Sequence, residues 1–358
     1  MFSVLKLDTE VGQKQYRLLL KKYSVTDPYL LLDYIEIFDR GFKNLVCFSY
    51  ENKNSKVVAF MPGYLRRITI GDIETPYFDF ISPYGYTGPY FSDEMDINQK
   101  LIFWKNINNW YLKNKVVSEF IRFNLFENYT AYNGERKLTM LNIKGNIIGE
   151  DSQWKAFDRK VRKNVNKAKR ENLSCKVYYQ DITKDKIKEF YDIYIDTMKR
   201  TNAKEAFFYH FEDFYRFVNE NKNNCCICIV YSEDTPISSE LVLKSKDTIY
   251  SFLGGTNEEF FSKRPNDFLK VELINWARQQ GLKFYVLGGG YGMEDGIFKY
   301  KKAFFPKDIV NFYTGRKIIN ENVYNELIRK ANKIRLRNGL AEINGNNDSF
   351  FPLYRCVF

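Results

Sequence analysis

Lysine and arginine crowd two short stretches of this chain. Between Trp154 and Arg170 stand Lys155, Arg159, Lys160, Arg162, Lys163, Lys167, Lys169 and Arg170, against one acid, Asp158. Between Phe298 and Phe304 stand Lys299, Lys301 and Lys302, with no acid at all. A charge run is usually a solvated helix face, but such faces mix the two signs and gain from acid–base pairs one turn apart. A run almost without acids lacks those pairs and raises a positive field that draws phosphate. Arg162 could grip two oxygens at once through its planar fork. The formal net charge of +11 suits the same polyanionic ligands: tRNA, a nucleotide diphosphate, a lipid phosphate or CoA.

Other chemistries lack their residues. The sole histidine is His210, beside an aromatic-rich helix start. Without it no Ser-His-Asp or Cys-His constellation can be built, so a covalent mechanism is not expected. Cys47, Cys175, Cys225, Cys226, Cys228 and Cys356 form no CxxC pair. Buried free thiols in a reducing compartment are expected, and no metal. Gly288-Gly289-Gly290 is not followed by a helix at dinucleotide spacing. The N-terminus has no signal pattern, and no apolar run approaches the roughly 18 to 20 residues of a membrane span. A soluble cytoplasmic protein with no integral membrane segment is expected.

The elements that carry these residues can be read from periodicity. A chain of 358 residues suggests two domains, each able to bury a core. Helices are expected near Val11–Tyr23, Pro28–Phe38 and Asp96–Leu112. Strands are expected at Asn44–Tyr50, Lys56–Met61 (broken by Pro62-Gly63), Leu65–Ile70, Pro76–Ile81 and Val116–Leu125. Ser82–Phe91 is a Gly-, Pro- and Tyr-rich loop. After a strand at Arg136–Ile143, Trp154–Arg170 reads as one helix with Trp154, Phe157, Val161, Val165 and Ala168 along a stripe. Cys175–Tyr179 is a strand, followed by helices at Lys184–Lys199 and Phe211–Val218. Cys225–Tyr231, Ile237–Ser245 and Thr248–Leu253 form an antiparallel meander, ended by Gly254-Gly255. A helix capped by Asn266 or Asp267 and stopped by Gly281 leads to the strand Phe284–Leu287. A strand (Ile309–Tyr313), a helix (Glu321–Arg337), an Asn-rich loop and the tail Phe350–Phe358 finish the chain.

The order strand, helix, helix, meander, helix, strand resembles the GNAT acyltransferase fold. Two passages sharpen the resemblance: Trp154-x-x-Phe157-x-x-Lys160-x-Arg162-x-Asn164-x-x-Lys167-Ala168, and Phe298-Lys299-Tyr300-Lys301-Lys302-Ala303-Phe304. With YSFLGGTNEEF and LINWARQQGLKFYVLGGG between them, they look like the Fem family of peptidyltransferases and the GNAT-like acyltransferases grouped with it. The resemblance implies an α+β protein of tandem GNAT-like domains with mixed sheets flanked by helices. The expected division is 1–150, 151–320, and a C-terminal segment 321–358 packing back on the core.

The resemblance also implies an activity. Family members add an aminoacyl or other acyl group to a cell-envelope precursor. The chain is thus expected to transfer an acetyl or aminoacyl group to an amine or hydroxyl of an anionic peptidoglycan or surface-polysaccharide precursor. Direct attack in a ternary complex needs a proton acceptor, donors for the oxyanion and positioning. Tyr250, Glu240 and Asp79 are the candidate catalytic groups. Lys160, Arg162, Tyr84 and Tyr86 are candidates for holding the acceptor, and Lys301 and Lys302 for holding the donor. No cofactor is expected to be tightly bound; the co-substrate would be acyl-CoA or aminoacyl-tRNA. The partner would be an anionic small-molecule or lipid-linked precursor, with tRNA and peripheral membrane contact also open. A long helical hairpin found in some Fem proteins is absent, which favours acyl-CoA or another donor over tRNA. Both glycines of the family motif after Lys302 are replaced, by Ala303 and Phe305, and the segment Phe260–Asp267 has no glycine to cradle a CoA diphosphate. The other readings are a basic nucleic-acid-binding protein and a non-catalytic GNAT-like scaffold. The cations of 160–162 and 301 are expected to meet in one crevice between two similarly folded halves.

Overall fold

The computed structural model describes residues 1–54, 56–343 and 350–357. Residues 344–349 of the expected Asn-rich loop, and Phe358 at the end of the tail, lie outside them. The chain begins with β1 (Phe2–Lys6), α1 (Glu10–Lys22), α2 (Leu32–Phe38), β2 (Leu45–Glu51), β3 (Val57–Ile70), β4 (Ile73–Ile81) and β5 (Tyr90–Phe91). Then come α3 (Ile97–Lys113), β6 (Val116–Arg122), β7 (Glu135–Asn146), α4 (Glu150–Ala156), α5 (Arg159–Arg170), β8 (Leu173–Tyr179), α6 (Lys184–Arg200) and α7 (Phe211–Glu220). It ends with β9 (Cys225–Ser232), β10 (Thr235–Lys244), β11 (Thr248–Thr256), α8 (Pro265–Gln279), β12 (Phe284–Gly288), α9 (Gly296–Lys302), β13 (Ile309–Ile318) and α10 (Glu321–Arg337).

Two compact units share the chain. One holds Met1–Val25, Phe38–Thr139 and Phe312–Phe358; the other holds Thr26–Ile37 and Met140–Asn311. The sequence division at 150 and 320 thus stands against boundaries at Thr139 and Phe312, and the C-terminal segment belongs to the first unit.

In the first unit β1, β2, β3 and β4 pair antiparallel. The crossover through α3 brings β6 parallel to β4, and β13 adds antiparallel to β6. Asp96 caps α3 reciprocally with Gln99, and Phe103, Trp104, Ile107 and Tyr111 bury one face of the helix with Phe48 and Phe80 of the sheet. A second cluster joins Ile68 and Val117 to Tyr324 and Leu327 of α10 and to Tyr354.

The second unit repeats the plan. β8, β9, β10 and β11 are antiparallel, α8 carries the chain to β12 parallel with β11, and β7 adds antiparallel to β12. Its core joins α5 (Val161, Val165, Ala168) and α8 (Leu269, Leu273, Ala277) to Cys226, Cys228 and Val242 of the meander. All six cysteines are free. The molecule is therefore an α+β protein, and each unit holds a GNAT-like set of mixed parallel and antiparallel strands flanked by helices.

Three expectations need correction. Pro62-Gly63 does not interrupt β3, which runs unbroken through both. Pairing on the β4 side begins only at Tyr64, leaving an open edge for a residue without an N–H, and the missing Cβ of Gly63 leaves room for the Phe80 ring. Gly254-Gly255 does not end β11 either. A Cβ on Gly255 would meet Ile193 O at 2.6 Å and Thr197 Oγ1 at 2.3 Å, so the glycine lets α6 lie against the strand. Finally, Trp154–Arg170 is two helices. Phe157 turns extended (ψ 145°), which seats its ring in the core, 3% exposed, edge-on to Trp154 and Phe304.

Candidate active site

The broken helix and the motif that opens α9 surround one cavity of the second unit, about 520 Å³ in volume. α5 contributes Lys160 and Asn164, the start of α8 contributes Arg264 and Asp267, and α9 contributes Lys299 and Tyr300. α5 can reach the cavity because its axis restarts at Asp158, whose N–H donates to Ala303 O at 2.9 Å. α9 is set by Asp295, which accepts from Phe298 N at 2.8 Å and Tyr291 N at 2.6 Å. These amide bonds hold the Asp295 carboxyl below the usual range.

α8 opens differently from expectation. Neither Asn266 nor Asp267 is its cap. The helix begins at Pro265, whose fixed φ and absent N–H suit the first helical position, and Arg264 precedes it in the left-handed region at φ 63°. Asp267 falls in the first turn, 8% exposed, and accepts from Asn164 Nδ2 at 3.1 Å. Burial pushes its carboxyl pKa up, against the bond from Asn164 and the charges of Arg264 and Lys160. The Tyr300 hydroxyl is buried with no hydrogen-bond partner among the described residues. Burial, then the Asp267 and Glu240 charges, hold it protonated.

Beneath α8 lies a buried polar cluster. Lys270 Nζ donates to Glu240 Oε2 at 2.5 Å, Ser251 Oγ at 2.9 Å and Tyr285 Oη at 3.2 Å. Lys301 is on the other side of α9 from Lys299 and donates to Gly289 O at 2.7 Å. Its pKa is pushed down to about 8, first by burial and then by the charge of Lys270, with Glu240 and Asp295 pulling it up. Lys302 ends α9, half-buried.

The structure thus sorts the candidates. Lys160 meets Lys299 in the cavity, while Arg162 and Lys301 do not line it. Arg162 instead turns its Nη1 onto the carbonyls of Trp154, Lys155 and Phe157, satisfying the open C-terminal end of α4. Lysine, a point charge without a planar fork, cannot reproduce that contact. Arg162→Lys is expected to cost about 1–2 kcal/mol of stability, read as a lower urea midpoint, with substrate affinity unchanged. A loss of affinity at unchanged stability would restore Arg162 as a substrate contact.

Tyr250 is 3% exposed and packs edge-on to Tyr29 at 5.2 Å. The other three candidates belong to the first unit. Asp79, 1% exposed, accepts from Arg66 Nε at 2.7 Å, Arg355 Nε at 2.5 Å and Tyr354 Oη at 3.0 Å. Tyr84 is exposed, with its N–H on Asp39 Oδ2 and its ring 5.6 Å from the Arg122 guanidinium. Tyr86 packs edge-on to Phe312, and burial raises its pKa. Asn164, Arg264, Asp267 and Tyr300 escaped the sequence reading as site residues, and Lys299 entered it only as a member of the second basic cluster. Their signal was helical spacing: Gly296, Lys299, Tyr300 and Ala303 recur as one face of α9.

Residues 159–302 match the family model described as an acetyltransferase (GNAT) domain. That match falls within the second unit, and the protein is an acyltransferase. Among solved structures the chain is similar to FemX, at 12% identity and TM-score 0.63 over 87% of this chain and 97% of that one. It is similar to L-PGS from Bacillus licheniformis, at 11% identity and TM-score 0.58 over 92% and 97%. A C-terminal domain ascribed to a lysylphosphatidylglycerol synthetase of Agrobacterium fabrum aligns at 11% identity and TM-score 0.56 over 89% and 96%. At these identities the likeness is one of fold. No curated protein sequence matches the chain. Among the described residues no helix is long and apolar enough to cross a membrane, and no cluster of side chains could hold a metal ion.

Proposed function

We propose that the protein transfers an acetyl or aminoacyl group to an amine or hydroxyl of an anionic cell-envelope precursor, by direct attack in a ternary complex. The carrying observation is the cavity at the start of α8, where Lys160, Arg264 and Lys299 come together from three elements. With Asp158 and Asp267 on the same lining, three cations against two carboxylates leave an excess of positive charge that a bound anion would balance. The resemblance to Fem peptidyltransferases supports an envelope precursor, as does likeness to a protein named for making lysylphosphatidylglycerol. Lys160 and Lys299 would hold the acceptor's anionic group. Lys301 would place positive charge where β12 leaves the sheet, close to the donor. The acyl group passes from its carrier to the acceptor nucleophile, and the nucleophile's proton leaves with the carrier or to water.

Lys160→Ala and Lys299→Ala are each expected to raise the KM for the anionic acceptor about tenfold while changing kcat less, and the double variant more than either. Steady-state kinetics with acceptors of graded charge test this; a KM unmoved in both variants would sink the assignment. One observation favours a second reading. Lys155, Arg159, Lys163 and Arg170 are exposed with no ion pair among the described residues. A nucleic-acid partner would bind there with affinity falling steeply with salt and without any envelope precursor.

A further inference from the structure

We infer that Asp267 sets donor specificity by occupying, with the chain's own carboxylate, the start of α8 where a diphosphate would otherwise bind. The inference rests on the reading above that this cavity takes the reacting substrates. A helix start offers free amides and the positive end of the dipole, which makes it a site for phosphate. Here both attractions are spent internally. Pro265 supplies no N–H at the first position. Asp267 follows in the first turn, shielded from water and tied to Asn164 of α5. Burial raises its pKa, and the bond from Asn164 and the charges of Arg264 and Lys160 oppose that rise.

A diphosphate laid on α8 would therefore meet a carboxylate held in place by Asn164, at a helix start whose first residue offers no N–H. The strands also open at this end of the sheet. β11 pairs with β12 only over Thr248–Tyr250, although β11 continues to Thr256. The donor class admitted is one that brings its acyl group to this opening without anchoring a diphosphate on the helix. An acyl carrier joined through a single phosphodiester fits that description, and CoA held by its diphosphate does not.

The inference predicts a gain of binding. Inorganic pyrophosphate and CoA are titrated calorimetrically into wild type, Asp267→Asn and Asp267→Ser. Asparagine keeps the shape and the bond to Asn164; serine serves if asparagine lowers the melting temperature. Both variants are expected to bind both probes at least tenfold more tightly than wild type. Adding Lys160→Ala to Asp267→Asn is expected to remove most of that gain. Equal affinities in wild type and variants would overturn the inference, as would a gain that Lys160→Ala leaves intact. The acyltransferase reading is tested separately by turnover. A chain inactive with every donor, yet showing the gain in pyrophosphate binding, would sink that reading and leave the role of Asp267 standing.

Discussion

Glu240→Ala is expected to cost the fold about 3–5 kcal/mol, because it strands a buried ammonium. Lys270 and Glu240 are both nearly closed to solvent, at 9% and 6% side-chain exposure. Losing the carboxylate leaves Lys270 Nζ with only the hydroxyls of Ser251 and Tyr285. An isolated charge in such a place either shifts its titration or drags in water, and both weaken packing between α8 and the sheet. Replacing both partners by apolar residues of similar volume removes that penalty, so Glu240→Leu with Lys270→Met should recover most of the loss. Urea unfolding of the two single variants and the double one measures the coupling. Simple additivity of the singles would show that the pair is not a unit. The folded double variant also separates structure from chemistry. If Glu240 takes the acceptor's proton, that variant is stable and inactive; if its role is only to neutralise Lys270, activity survives.

Lys301→Met is expected to lower kcat/KM by about a hundredfold or more, the scale seen when a preorganised charge near developing negative charge is removed. Unfolding is not a competing explanation. The lysine titrates near 8 in the fold and near 10.4 when unfolded, so the fold disfavours its charged form. Below pH 8 both states are charged and the full penalty stands. Between 8 and 10.4 the folded state releases its proton first, and stability rises with pH. Methionine removes a penalty of up to about 3 kcal/mol and should hold or raise the melting temperature. If the ammonium is the working form, wild-type activity falls as pH passes 8, and the residual activity of the variant loses that limb. A variant within threefold of wild type would remove Lys301 from the donor site.

Much of the architecture was legible in the residues themselves. Apolar, β-branched runs and tight turns marked β9, β10 and β11, and the element order pointed to two GNAT-like units. Local patterns achieve this because burial period and turn chemistry are set by near neighbours. The two basic clusters were equally plain, since an excess of one charge needs no tertiary contact to be seen.

Which of those cations does what was decided only in three dimensions. Lys160 and Arg162 are two residues apart, so helical geometry sends them roughly 200° apart: one into the cavity, the other back onto the carbonyl end of α4. Lys299 and Lys301 divide in the same way on α9. Phe157 breaks its helix because the core of the second unit, built from chain more than 100 residues further on, has a place for the ring beside Phe304. Asp267 reads as an ordinary cap until Asn164, 103 residues away in sequence, is found bonded to it. Charge type and burial period are local properties. The partner a charged side chain meets depends on packing between distant segments, and only the folded chain supplies that.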